Sequence, residues 1–323
     1  MTMSAAVQVT STIILHVEFI TGTLGNGFIA LRSIMDGVKR RKMSTVDLIL
    51  TALAISRITV LWSIYINLSI FSMNPDLKVI LQTVRLTNLI WLISNHFSIW
   101  LATILSIIYF LKIATFSNSV FLYLRWRLKK VVSLALLVSL LLLFLNTLVT
   151  NIHIDMCMKE FKTNVSYSYK LMNATHIPRL LVLTNTMFTL IPFSVSMTMF
   201  FLLIFSLWKH LKKIKHIAKS SRDVSTTAHI KALRTVVAFL LLYVIFTFSL
   251  FLQLWSYEFE EKHFLKYFFL VGIIAFPSLH SCVLIMGNSK LRQSSLLVLS
   301  LLRCNIQGCG PLGPSPTKGM NSA

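Results

Sequence analysis

Seven stretches of mostly apolar residues, at 7–34, 46–69, 82–111, 131–150, 180–207, 233–256 and 265–287, restrict this chain to one class of fold. Each reaches the roughly 20 residues a helix needs to cross a bilayer. In hydrocarbon every backbone N–H and C=O must bond within the protein, which a segment of this kind achieves as a helix. The expected architecture is an all-α membrane protein, a bundle of seven transmembrane helices. An odd number of crossings places the two termini on opposite sides. The connections are short and leave no room for a separately folded soluble domain, so any site lies among the helices or at their ends.

Orientation follows from the basic residues, because Lys and Arg accumulate in short cytoplasmic loops. Lys39, Arg40, Arg41 and Lys42 follow the first stretch, and Lys112, Arg125, Arg127, Lys129 and Lys130 surround the third connection. Lys209, Lys212, Lys213, Lys215, Lys219 and Arg222 fill the fifth, and Lys290, Arg292 and Arg303 follow the seventh. Residues 1–10 carry no basic side chain, and only Lys78 lies between the second and third stretches. The N-terminus is therefore expected outside and the C-terminus in the cytoplasm. The segment 151–179 is basic too, but Asp155 and Glu160 dilute it. It carries two glycosylation acceptor patterns, at Asn164 and Asn173, on the side that charge alone assigns to the exterior. Asn67 begins a third such tripeptide, but at the outer end of the second stretch it is too close to the membrane to be modified.

The net charge of +21 is spread as a collar on one face instead of a compact basic domain, so anionic lipid is the expected partner and nucleic acid is not. The first apolar run is too long for a secretory signal and lacks a basic start, so it is expected to remain as an anchor. Four cysteines, at 157, 282, 304 and 309, are too scattered for a disulfide framework or a zinc site. From Ser289 to Leu302 a basic start gives way to leucines, the pattern of a short helix lying on the inner membrane surface. Cys304 at its end reads either as an acylation site or as a free thiol. Residues 304–323, rich in Gly and Pro, read as a flexible tail.

An ionisable group inside a membrane is expensive and normally faces the bundle or water. Arg57 lies eleven residues past Val46, roughly 16 Å into the membrane at about 1.5 Å per residue. Glu18 and Asn26 lie two turns apart in the first stretch. Either these residues lock the first two helices together, or they form a polar hinge whose hydrogen bonds differ between two states. In the third stretch Asn88, Trp91, Asn95 and Ser98 recur at steps of three and four residues and so share one helix face, with His96 adjacent. That face must turn inward. It reads either as interhelical hydrogen bonding or as a binding wall, with Trp91 offering apolar surface and Asn95 a polar anchor.

The run from Asn95 to Thr103, continuing through Tyr109-Phe110-Leu111-Lys112-Ile113-Ala114, resembles the third helix of the type 2 taste receptors, the bitter receptors. Leu53-Ala54-Ile55-Ser56-Arg57 resembles their second-helix motif, Leu203-Ile204-Phe205-Ser206-Leu207 with Trp208-Lys209-His210 the fifth, and the run from His280 to Asn288 the seventh. The runs 116–119 and 121–127 resemble most the broadly tuned member 14 subgroup. The likeness covers nearly the whole chain except the tail, with one receptor unit over 1–303.

What the resemblance implies is a multi-pass plasma-membrane receptor that binds small bitter organic molecules within its bundle and activates a heterotrimeric G protein of the gustducin type. It implies no catalysis and no cofactor. In agreement, the sequence has no zinc-binding His-Glu-x-x-His pattern, phosphate-cradling glycine loop or nucleophile elbow. By resemblance Trp91, Asn95, His96, Phe246 and Leu270 line the ligand site, while Glu18, Asn26, Arg57, Lys112 and His280 hold structural or activation positions. Leu270 stands where some relatives have an acidic residue, which makes the site less selective for cations. Lys209, Lys212, Lys213 and Lys215 are expected to contact the G protein or, as a collar, lipid. A small-solute transporter or channel, or a pheromone-type chemoreceptor, is the alternative function, although the inverted repeats and paired broken helices common in transporters are not visible.

Overall fold

The computed structural model describes residues 2–72, 77–114, 116–163, 176–217, 224–256 and 263–306. Among them the chain is all helical: α1 Thr2–Lys39, α2 Thr45–Ser72, α3 Leu77–Ile113, α4 Ser119–Trp126, α5 Leu128–Thr163, α6 His176–Ile217, α7 Val224–Ser256, α8 His263–Gly287 and α9 Ser289–Ile306. Seven of these, α1, α2, α3, α5, α6, α7 and α8, are long and apolar enough to span a membrane. They coincide with the seven apolar stretches, though most run past them at one end or both. The first continues to Lys39, where an i,i+4 ion pair between Arg32 and Asp36 at 3.1 Å supports its last turns.

The helix ends have local causes. Arg41, with φ 53°, takes the left-handed conformation just after α1 and turns the chain. Ser44 then caps α2: its Oγ accepts from the Asp47 backbone N–H at 3.1 Å and donates to the Asp47 carboxylate at 2.6 Å. Asn118 caps α4 by accepting from the Val120 N–H at 2.9 Å. Asn288 separates α8 from α9 by accepting from the Lys290 N–H at 3.0 Å. The helix at 119–126 was not anticipated. Eight residues carry too weak a periodic signal, and its place is decided by Phe121, whose buried ring meets Phe110 and Phe116 edge-on at 5.4 Å each.

The spans close into a ring in which α1 packs on α2 and α8, α7 packs on α6 and α8, and α3 runs through the middle against α2, α5 and α6. Accordingly α3 is the most buried span, with 78 % of its apolar window covered, while α5 on the periphery has 17 %. Leu24, Phe144 and Phe248 point outward and remain exposed, as lipid-facing side chains do. Lys39 at the end of α1, Lys112 at the end of α3, Lys209 near the end of α6 and Lys290 at the start of α9 lie with α4 at one end of the bundle, here called the basic end. Asn164, Asn173 and residues 307–323 lie outside the described residues.

Candidate functional site

A cavity of about 300 Å³ opens among the helices at the end opposite the basic one. Six spans contribute to it: Ile64 and Asn67 from α2, Asn88 and Trp91 from α3, Thr150 and Ile154 from α5, Val182 and Asn185 from α6, Leu250 and Gln253 from α7, and Phe269, Leu270 and Ile273 from α8. Its walls are mainly apolar with a few dispersed amide and hydroxyl groups, the composition of a site for an organic molecule of modest size. Several of these polar groups are already oriented. Asn67 accepts a hydrogen bond from Thr87, and Asn185 accepts one from Asn146 at 3.3 Å.

The five residues expected at a ligand site fall in three places. Trp91 and Leu270 line the cavity. Asn95 and His96 line instead a cleft of about 10 Å³ between α3, α5 and α6, room for about one water. Asn185 and Leu92 border both spaces. His96 is turned toward α5, its Nε2 within hydrogen-bond distance of the Ser139 carbonyl at 2.9 Å and hydroxyl at 3.1 Å. Phe246 is 1 % exposed and sits one turn below the cavity residue Leu250. Of the polar lining, Asn88 belongs to the stripe legible on α3. Asn67, Thr150, Asn185 and Gln253 lie on four other helices, and nothing in their own segments marks them as facing a common cavity.

Below the cavity an aromatic column continues toward the basic end. Phe246 lies 5.1 Å from Phe276, Tyr243 stacks on Phe276 at 5.2 Å, and Phe276 stacks on His280 at 5.2 Å. His280 in turn meets Phe239. Phe239, with Tyr109, Ile113, Thr235, Leu284 and Gly287, lines a second space of about 290 Å³ that opens at the basic end between α3, α7 and α8. Beside the column Thr103 bridges α3 to α6, donating to the Ile99 carbonyl and accepting from Ser196 at 2.8 Å next to the proline of α6.

The intramembrane polar residues differ from the first expectation. Asn26 and Arg57 do not bond to each other; both reach α8. Asn26 donates to the Gly22 carbonyl of its own helix at 2.8 Å and to the Pro277 carbonyl at 3.0 Å. Arg57, fully buried, donates to His280 Nδ1 and places its guanidinium 5.4 Å from the centroid of the Phe276 ring. Gly22 and Gly25 explain why α8 is the partner. A Cβ at 25 would stand 2.7 Å from Ser281 Oγ, so the missing side chains let α1 and α8 approach closely. Glu18 is half-buried one turn above Gly22.

At the basic end Lys112 is exposed in the last turn of α3. Lys209 and Lys212 are exposed near the end of α6, with Lys212 Nζ 5.6 Å from the centroid of the Trp208 ring. The side chains of Lys213 and Lys215 lie outside the described residues. Among the described residues no cluster of His, Cys, Asp or Glu has the makings of a metal site.

Residues 3–303 match a family model described as Taste receptor protein (TAS2R). Similar curated proteins include taste receptor type 2 member 125 of Rattus norvegicus, 54 % identical over 97 % of this chain and 100 % of that protein. Member 140 of the same species is 54 % identical over 93 % of this chain and 96 % of its own length. Member 14 of Homo sapiens is 48 % identical over 96 % and 98 %.

Proposed function

The chain belongs to the taste receptor type 2 family, a family of receptors and not of enzymes, and from that premise we propose that it is a bitter receptor of the plasma membrane. Small organic molecules enter the cavity around Trp91, and the response passes to a heterotrimeric G protein of the gustducin type at the basic end. The N-terminus is then outside and the C-terminus cytoplasmic. The observation that carries this reading is the position of the cavity. It touches six spans at the end opposite the basic collar, and the aromatic column from Phe246 through Phe276 and His280 to Phe239 joins it to the second space.

A ligand shifts a receptor only by binding its two states with different affinity. In this reading occupancy against Leu250 and Ile273 repacks Phe246 and Phe276 one turn below, and α7 moves relative to α3 where Phe239 and Tyr109 line the second space. The opened basic end then admits a helix of the G protein. Because burial of apolar surface is not directional, walls of this kind suit many unrelated molecules.

The test is agonist-driven nucleotide exchange in cells expressing the receptor with a gustducin-type G protein, against a panel of chemically diverse bitter compounds. Concentration-dependent exchange with several of them is the expected result. Normal surface expression with no exchange from any compound, or uptake of solute without exchange, would reject the reading.

Two further outcomes belong to it. Neutralising Lys212 and Lys213 as glutamines is expected to leave surface protein intact and to reduce agonist-driven exchange severalfold, because a cationic strip steers an acidic partner surface. Unchanged exchange would return these lysines to a lipid-contacting role. Glycosidase treatment is expected to increase the gel mobility of the wild-type receptor and not that of an Asn164→Gln/Asn173→Gln variant, since glycans keep an outer loop solvated.

A further inference from the structure

The junction of α1, α2 and α8 holds more hydrogen-bond donors than acceptors, and a positive charge without a carboxylate. Leu61 Cδ1 stands 2.7 Å from the place a Cβ on Gly22 would take, so these two residues are level in the antiparallel pair α1 and α2. Asn26 and Arg57 each lie four residues, or one turn, further toward the basic end and are therefore level with one another. Arg57 uses Nη2 on His280, while its Nε and Nη1 have no hydrogen-bond partner among the described residues. Since His280 Nδ1 accepts that bond, the ring hydrogen sits on Nε2, which is also buried without a partner. The Ser278 hydroxyl, beside Gly22, is in the same condition. Asn26 has committed both amide hydrogens, leaving only its Oδ1 as an unmatched acceptor.

Charge makes the imbalance sharper. The ion pairs among the described residues are Arg32–Asp36 and Arg85–Asp155, and neither includes Arg57. The acidic side chain in the same part of the bundle, Glu18, is eight residues from Asn26, about 12 Å along α1. A guanidinium keeps its charge, and a buried charge that is neither paired nor fully hydrogen-bonded is strongly disfavoured. Water alone satisfies the donors but leaves the charge uncompensated.

From these observations we propose that Arg57 is the centre of a site for a small monovalent anion, chloride under physiological conditions. Nη1–H of Arg57 is its primary ligand, and a water in its shell reaches Asn26 Oδ1. Gly22 and Gly25 pack α1 closely on α8, and the Phe276 ring stands against the guanidinium, so the proposed ion is a small one. The site differs from the ligand cavity and from the basic end: Arg57 lies in mid-span, and it does not depend on which molecules the receptor detects.

The experiment uses the full-length receptor in lipid nanodiscs without agonist, its thermal unfolding followed as chloride is replaced by gluconate at constant ionic strength. A ligand that binds only the folded state raises the unfolding temperature with its concentration, and a saturable rise of about 2–5 °C in chloride and bromide, with none in gluconate, is expected. In Arg57→Met the unfolding temperature is expected not to respond to chloride. Should that variant not reach the membrane, crystals of the wild type grown in bromide decide the matter through an anomalous peak beside Arg57 Nη1. An unfolding temperature independent of the anion, a chloride response retained in Arg57→Met, or water alone beside Arg57 in bromide crystals would each overturn the site.

Discussion

Replacing Trp91 by Ala is expected to lower agonist potency roughly tenfold or more while leaving surface protein unchanged. The indole lines the main cavity and is only partly covered by the core, so its loss removes ligand contact more than it removes packing. A buried aromatic contact of this size contributes on the order of 1.5–3 kcal/mol, which spans roughly 10-fold to 150-fold in affinity. Asn95→Ala provides the contrast. Asn95 lines the small cleft beside the cavity, so its removal is expected to weaken agonists whose polar group reaches the cleft and to spare purely apolar ones, because a lost buried hydrogen bond costs only where it had been made. Concentration–response curves for several unrelated agonists, read beside cell-surface staining, check both. Unshifted curves for Trp91→Ala with every agonist would remove the cavity from consideration as the binding site.

The largest structural effect is expected at Gly272. A Cβ there would fall on the Ser249 hydroxyl and within 2.9 Å of the Ser249 Cβ, where α8 meets α7. Ser249 cannot swing aside freely, since its Oγ donates to the Ile245 carbonyl at 2.8 Å. Gly272→Ala must therefore push the two helices apart, at a cost of about 1–3 kcal/mol for an overpacked contact. The unfolding temperature of the purified receptor is expected to fall and the surface fraction with it. Ser249→Gly in the same chain restores the space and is expected to recover most of the loss. A Gly272→Ala receptor as stable as the wild type would mean that the helices pack less tightly there than the geometry states.

The number and approximate positions of the membrane spans, the helix α9 and the inward face of α3 were legible in the amino-acid sequence, because each depends on the order of apolar and polar residues along one segment. Apolar length alone separates a span from a connection, and a three- and four-residue step alone puts Asn88 and Trp91 on one side of a helix. Basic residues likewise mark one end of the bundle, whatever the helices do beside one another. The presence of Arg57 in mid-membrane was equally visible, and so was its need for partners.

Which helix supplies those partners is a different kind of fact. Nothing local to 26 or 57 distinguishes α8 from the other neighbours. The choice is made where Gly22 and Gly25 let Ser278 and Ser281 come close, so Pro277 receives Asn26 and His280 receives Arg57. The cavity arises the same way. Asn67, Asn185 and Gln253 come from three separate segments and converge only because α2, α6 and α7 each line the same cavity. The sequence by itself determined how many helices span the membrane, what they are made of and which faces cannot meet lipid. Tertiary structure alone decided which of those faces meet, because side-chain partnership between helices depends on how closely their backbones approach, and that distance is set by the shapes of both surfaces together.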